Sequence, residues 1–293
     1  MSAQFVGRSP RARWFAGTRV TPALHGAALY RCASCNFLQR SPLLAEDEYG
    51  QLYRAAVDHW AQPYPRPDQL RIKAYIEARH PASASVLDIG CSSGDFLKLL
   101  GPACRKYGVE PSLAAAENAQ AKGISIVAAS TSEFFARPSK YSVITAIDVI
   151  EHVPEPLDFL LKCAQHLEEG GEIIVSTGNA DASAWRVIGP SYYYCHNFEH
   201  ISFISPAWCK AATMAGLRCE VLEGGFRHTQ RPKAAEQVNV KKVLRTAVEY
   251  GLSSLERLTL MQLPGESRRL GPWFSVGEPG IFRDHFLVSF RPA

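Results

Sequence analysis

The sequence predicts an α/β fold: a doubly wound, mostly parallel sheet with helices on both faces and an antiparallel last strand. Three observations carry this. Between residues 85 and 176, five short apolar runs alternate with helical stretches. Val86-Leu87-Asp88-Ile89 runs straight into the small-residue turn Gly90-Cys91-Ser92-Ser93-Gly94, followed by a helix through Phe96, Leu97 and Leu100. Two further strand patterns, 217–222 and 285–290, lie outside the alternating part and bring the number to seven.

Residues 1–45 are rich in Arg, Ser, Pro and Gly and show no sustained period. Pro63, Pro65 and Pro67 mark a boundary at 61–68. Leu70, Ile72, Tyr75 and Ile76 then form the apolar stripe of a helix over 68–79. The alternating part reads as strands at 86–89, 106–110, 124–128, 141–147 and 172–176. Helices follow at 112–122 and 156–167, the second ended by Gly170-Gly171. Crossover helices between successive strands make those strands parallel. The last two strands are expected to be antiparallel edge strands. Roughly sixty residues separate them, too many for a bare loop. Val238, Val243, Leu244, Val248 and Leu252 predict a helix over 234–258 there, an insertion serving as a lid or an interface. The chain thus divides into an accessory segment (1–60), a core (61–222), an insertion (223–283) and the last core strand (284–293).

Composition narrows the function classes. With 46% hydrophobic residues among 293, the chain has mass for a large core and is not disordered. No run approaches the ~18 apolar residues of a membrane span. The net charge of +4 is uneven: six arginines precede Glu46, the first acid, so residues 1–45 carry +6 and the rest −2. A nearly neutral body argues against a nucleic-acid grip. Scattered cysteines and the lack of an apolar leader core point to a reducing, cytoplasmic setting. The acid-free start would suit a transit peptide, but Pro10 and Pro22 interrupt any amphipathic helix.

The chemistry centres on the turn after the first core strand, because open parallel sheets bind ligands at that carboxyl edge. Glu110, 22 positions after Asp88 in Gly108-Val109-Glu110-Pro111, suits the hydroxyls of a ribose. A nicotinamide dinucleotide is opposed by two details. The turn is Gly-x-x-x-Gly, and Asp88 sits two residues before its first glycine. That carboxylate repels a pyrophosphate but suits a cationic sulfonium ligand with an α-ammonium group.

Taken together, these segments resemble the class I S-adenosylmethionine-dependent methyltransferases. Residues 86–97 are similar to that family's first motif and Gly108-Val109-Glu110-Pro111-Ser112 to its second. Ile147-Asp148-Val149-Ile150-Glu151-His152-Val153 resembles its fourth-strand segment. Leu167-Glu168-Glu169-Gly170-Gly171-Glu172 matches the turn before its fifth strand. The resemblance implies a Rossmann-like fold and S-adenosylmethionine as cofactor. It implies Asp88, Gly90, Cys91 and Gly94 around the amino-acid moiety, and Glu110 and Pro111 at the ribose. Ser130 would stand near the adenine, with Ile147 and Asp148 beside the sulfonium. The sequence departs from the pattern three times. Ser92 replaces a middle glycine, the stretch Ala129-Ser130-Thr131 lacks an acid, and Ser142 replaces an aspartate.

Methyl transfer from a sulfonium needs mainly in-line positioning. An oxygen or carbon acceptor adds the need for a general base, which nominates His152, His196 and His200. Each has a plainer alternative: His152 as buttress of the Pro154-Glu155-Pro156 turn, His196 in a solvated loop, His200 bonded to backbone among core residues Phe198, Ile201 and Phe203. Tyr49 and Tyr53, four apart on a helix, either close over the cofactor or pack that helix on the core.

Cys32-Ala33-Ser34-Cys35 offers half of a tetrahedral zinc site. The segment from Tyr30 to Gln39 resembles the second knuckle of the zinc-binding domain preceding some sugar C-methyltransferases. The first knuckle is missing, which implies a truncated remnant without metal, His25 being the one further ligand in view. The leading function is methyl transfer to a small-molecule acceptor, a sugar or nucleotide-sugar first. A quinone or phenol O-methyltransferase is the alternative, and a non-catalytic protein keeping the fold is a third reading.

Overall fold

The computed structural model describes residues 3–8, 12–15, 18–24, 28–55, 65–182, 185, 189–195, 197–225 and 285–293. The helix expected over 234–258 lies outside them. Five strands come first: β1 (Ala3–Arg8), β2 (Ala12–Phe15), β3 (Thr18–Leu24), β4 (Ala28–Cys32) and β5 (Leu38–Ser41). Their lack of a visible period has a structural cause. β1 breaks its alternation with a bulge between Phe5 and Gly7, and among the described residues β2 pairs with β3 alone, across another register shift. Helix α1 (Glu46–Ala55) follows, then α2 (Pro67–Arg79). Pro67 opens α2 where its missing N–H is not needed, and Ile72 and Ile76 bury the inner stripe.

The alternating part then runs β6 (Ser85–Ile89), α3 (Asp95–Leu99), β7 (Arg105–Val109), α4 (Leu113–Ala121), β8 (Ser125–Ala128), α5 (Thr131–Phe135), β9 (Tyr141–Ile147), α6 (Pro156–Gln165) and β10 (Leu167–Gly178). After it come β11 (Ser202–Phe203), α7 (Pro206–Ala212), β12 (Leu217–Gly225) and β13 (His285–Pro292). The main sheet has the order β12-β13-β10-β9-β6-β7-β8. Strands β6 to β10 pair in parallel, and β13 is antiparallel to both neighbours. This is the doubly wound, seven-stranded sheet with an antiparallel last strand that the pattern predicts.

Two details differ. β13 is an inner strand between β10 and β12, so of the last two strands β12 alone is an edge. Gly170 and Gly171 lie within β10, at a register shift against β9, rather than at the end of α6. A Cβ on Gly171 would come within 2.9 Å of the Glu168 carbonyl and 3.0 Å of that of Ser142, so the close approach of backbone there requires glycine.

Period-2 alternation divides the core between the two faces of the sheet. Ile144, Ile173 and Val175 pack with Phe159, Leu160 and Trp208 on one side. Val143 and Ile174 pack with Ile72, Leu97 and Ala119 on the other. Strand order reverses between β6 and β9. From β6 the chain moves outward through β7 and β8, then returns to β9 on the opposite side. Such a reversal opens a crevice at the strands' carboxyl ends. β11, which follows the last parallel strand, joins the N-terminal sheet in the order β1-β4-β5-β11.

Candidate active site

The crevice begins at Asp88, one residue before the end of β6. It is buried and accepts a hydrogen bond from Thr145 Oγ1 on β9 at 2.6 Å. Burial, with Glu110 adding its negative charge, pushes this carboxyl up to about 7 against the Thr145 bond and Arg66. Beyond it the chain turns sharply. Gly90 and Gly94 take φ of +69° and +75°, and a Cβ would meet Val149 Cγ2 at 2.7 Å and Ile124 Cδ1 at 2.0 Å respectively.

Ser92, in place of the middle glycine, takes the same left-handed conformation at φ +48°. Its N–H donates to Glu110 Oε2 at 2.8 Å, and the Ser112 N–H donates to Oε1 at 2.8 Å. The serine therefore keeps the turn's shape at some backbone cost. The carboxylate of Glu110 is fixed at the end of β7, just before Pro111. Cys91 directs its thiol into the core against Gly108, and burial pushes that thiol far up, so only its backbone belongs to the turn. Ser130 is exposed and caps α5, accepting from the Glu133 N–H at 3.1 Å.

Ile147 ends β9, and Asp148 follows at φ +54° with its N–H on the Ser176 carbonyl at 2.8 Å. Here the structure adds a residue that the sequence did not reveal. Arg66, immediately before α2, donates from Nη1 to Asp148 Oδ2 at 2.7 Å. It also donates from Nη2 and Nε to Asp68 at 2.5 and 3.1 Å. Burial opposes its charge, but Asp148 and Asp68 more than compensate and hold it above its ordinary value. The crevice thus offers carboxylates to a cation, a guanidinium to a carboxylate and Glu110 to a diol. That donor set fits a zwitterionic amino acid carrying a sulfonium and a ribose.

A family profile described as Methyltransferase domain matches residues 57–221, more than half of the chain. The chain belongs to this family and is an S-adenosylmethionine-dependent methyltransferase. It is similar to the ubiquinone biosynthesis O-methyltransferase of Actinobacillus pleuropneumoniae serotype 5b, at 32% identity over 47% of this chain and 68% of that one. It is 31% identical to that of Klebsiella pneumoniae strain 342, over 64% of this chain and 85% of the relative. Among solved structures, the YcgJ protein from Bacillus subtilis aligns with a TM-score of 0.49 at 16% identity, covering 77% of this chain and 99% of that one.

Beside the cofactor edge, the methyltransferase gathers a cluster of polar side chains. His152 ends the short turn Ile150–His152, and its Nδ1 lies 2.6 Å from Tyr53 Oη on α1. Its ring meets that of His200 edge-on, centroids 5.0 Å apart. His200 is buried and donates from Nδ1 to the Tyr194 carbonyl at 2.9 Å, which fixes its tautomer. Glu151 is buried and accepts from Thr177 Oγ1 at 2.9 Å and from Tyr194 Oη. Burial, reinforced by the charge of Asp148, pushes its carboxyl upward. Among the described residues, ligand atoms of Glu151, His152 and His200 all lie within 4.8 Å of one another, a spacing able to hold a divalent cation.

Two of the three nominated histidines are therefore neighbours, and His196 lies outside the described residues. Tyr49 and Tyr53 both pack beside Phe15 and Phe198, and Tyr53 alone reaches a histidine. Glu151 and Tyr194 escaped the sequence reading, although their adjacency to nominated residues was a usable signal. Cys32, the last residue of β4, and Cys35, in the turn before β5, are free thiols. The bond to Ser34 chiefly lowers Cys32 to about 7, whereas burial raises Cys35.

Proposed function

We propose that this methyltransferase methylates a hydroxyl oxygen of a small aromatic acceptor, a phenol or a catechol of the quinone-precursor kind, with His152 as general base. The observation that carries the reading is the half-buried pairing of His152 with Tyr53 and His200, four residues beyond Asp148 in the chain. The names of the ubiquinone biosynthesis relatives support the acceptor class. A sugar acceptor has for support only the likeness around Cys32 and Cys35.

When bound, S-adenosylmethionine supplies an electrophilic methyl group on a sulfonium. Asp88 and Asp148 would hold its ammonium, Arg66 its carboxylate and Glu110 its ribose diol. The near-neutral body supports a small acceptor rather than nucleic acid, and eight free cysteines support a reducing, cytoplasmic setting. Residues 61–222 with 284–293 carry the cofactor, and residues 1–60 contribute Tyr53 to the acceptor side.

His152 does the proton work. With Nδ1–H donating to Tyr53 Oη, its Nε2 presents a lone pair to the acceptor's hydroxyl. The ring takes that proton as the oxygen gains nucleophilic character. Tyr53 keeps the ring's orientation. Such a base contributes roughly 10²–10⁴-fold. The test is a panel of an alkylated catechol, a simple phenol and a nucleotide-sugar, incubated with S-adenosylmethionine and read by mass spectrometry. The reading expects a methyl ether of the catechol. Methylation of the nucleotide-sugar alone would overturn it.

A further inference from the structure

Arg40 lies on β5, in the N-terminal segment, and only 1% of it is exposed. Its guanidinium donates from Nε to the His200 carbonyl at 2.9 Å. From Nη2 it donates to the carbonyls of Cys195 and Asn197, at 2.8 and 3.2 Å. Its own backbone N–H donates to the Ile201 carbonyl at 2.8 Å, and its cationic end lies 5.4 Å from the centre of the Phe198 ring. One residue thus binds four carbonyls of a single loop. Lysine, a point charge with three donors, does not reproduce that planar fork.

The neighbouring residues extend the grip to the other histidine. Gln39 Nε2 donates to the Pro154 carbonyl at 2.8 Å, two residues beyond His152. β5 pairs with β11 through Leu38 and Phe203 and through Gln39 and Ser202. Ser202 Oγ in turn donates to the Val153 carbonyl at 2.6 Å, and the Ile201 N–H donates to that of Glu151 at 2.8 Å. The segments carrying His152 and His200 are therefore tied both to each other and to β5. Phe198 and Ile201 are buried, so apolar packing already keeps the loop in place. What the arginine adds is three side-chain hydrogen bonds to the loop's backbone, one of them at His200 itself.

We propose that Arg40 is a positioning residue for methyl transfer, acting through His200: it holds the histidine loop on β5 so that the His200 ring stays against His152. This rests on the reading of the histidine cluster as the acceptor-side machinery. A misplacement of about 1 Å at such a site costs on the order of 10²-fold in rate.

The test compares Arg40→Met, Arg40→Lys, His200→Ala and the double variant Arg40→Met/His200→Ala. Three readouts are used: calorimetric affinity for S-adenosylmethionine, kcat and KM for the alkylated catechol, and ring 1H–15N spectra of the histidines. Arg40→Met is expected to keep cofactor affinity within about 2-fold and to lose roughly 10–100-fold in kcat with little change in KM. Arg40→Lys should recover part of that loss. The double variant should be no slower than the slower single one. In the spectra, the His152 and His200 signals should move in Arg40→Met.

Unmoved ring signals, or losses that multiply in the double variant, would overturn the proposal. So would a kcat loss matched by an equal loss of cofactor binding, the mark of general unfolding. Should Arg40→Met not fold, Arg40→Lys carries the same comparisons with a smaller expected loss, and full kcat with unmoved signals there would overturn the proposal. Full turnover in His200→Ala is a different outcome, sinking the histidine reading itself and the Arg40 proposal with it. Should the catechol not react, the ring spectra decide.

Discussion

Replacing Asp88 by asparagine should move stability and cofactor binding in opposite directions. In the protein without ligand, the buried carboxyl titrates at about 7 instead of its ordinary 3.8. Its folded value is raised, so it contributes stability below the unfolded value and loses that contribution as pH climbs from about 4 to 7. The full cost above that window is on the order of 4 kcal/mol. Asparagine keeps an acceptor for Thr145 Oγ1 and removes the titration. The variant should therefore melt several degrees higher than the parent at pH 8, and the gap should shrink as pH falls towards 4.

Binding should go the other way. A charge-assisted hydrogen bond from the cofactor's ammonium is worth about 1.5–3 kcal/mol, so the Kd for S-adenosylmethionine should rise roughly 10–150-fold. Because a cation beside Asp88 favours its ionised form, binding by the parent near pH 7 should release a proton, and binding by the variant should release less. Thermal melts at several pH values and calorimetry in two buffers of different ionisation enthalpy measure all three. Unchanged affinity together with a lower melting point at pH 8 would refute the placement of Asp88.

Other variants probe separate parts of the fold. Arg66→Met should weaken S-adenosylmethionine by at least about tenfold by calorimetry while leaving Asp148 without its 2.7 Å partner; equal affinity would remove Arg66 from the site. Glu172 lies on the inner strand β10, bonded to His80, Tyr75, Ser289 and Arg291. Burial opposes its charge, but these partners, His80 first, hold it at about 2. A depressed carboxylate stabilises above its unfolded value and loses that effect as pH falls through the folded one. Glu172→Gln should therefore lose about 3 kcal/mol by chemical denaturation at pH 7, progressively less below pH 4, with the cofactor Kd unchanged. Gly94→Ala forces a left-handed residue against Ile124 and should cost about 1–3 kcal/mol in the same assay.

The parts of this fold that were legible in the sequence are those specified locally. Val143-Ile144 and Ile173-Ile174 announce strands buried on both faces, and the turn from Gly90 to Gly94 announces a ligand edge. The N-terminal sheet was not legible as a whole, because β5 has β4 on one side but Ser202 and Phe203, some 160 positions away, on the other, and β1 is bulged. Neither Arg66 nor Arg40 stood out in the sequence, where Arg40 was only one of six arginines in the N-terminal charge. Arg66, between two prolines, gains its meaning from Asp148, 82 positions on. Arg40 is buried because carbonyls from a distant loop converge on it, which no spacing along the chain reveals.

The role of His152 as base is decided by turnover of His152→Ala with methyl-labelled S-adenosylmethionine and an alkylated catechol. Labelled methyl ether is expected from the parent, and a rate at least about 100-fold lower from the variant at unchanged cofactor affinity. Labelled ether formed by the variant at the parent's rate would contradict it.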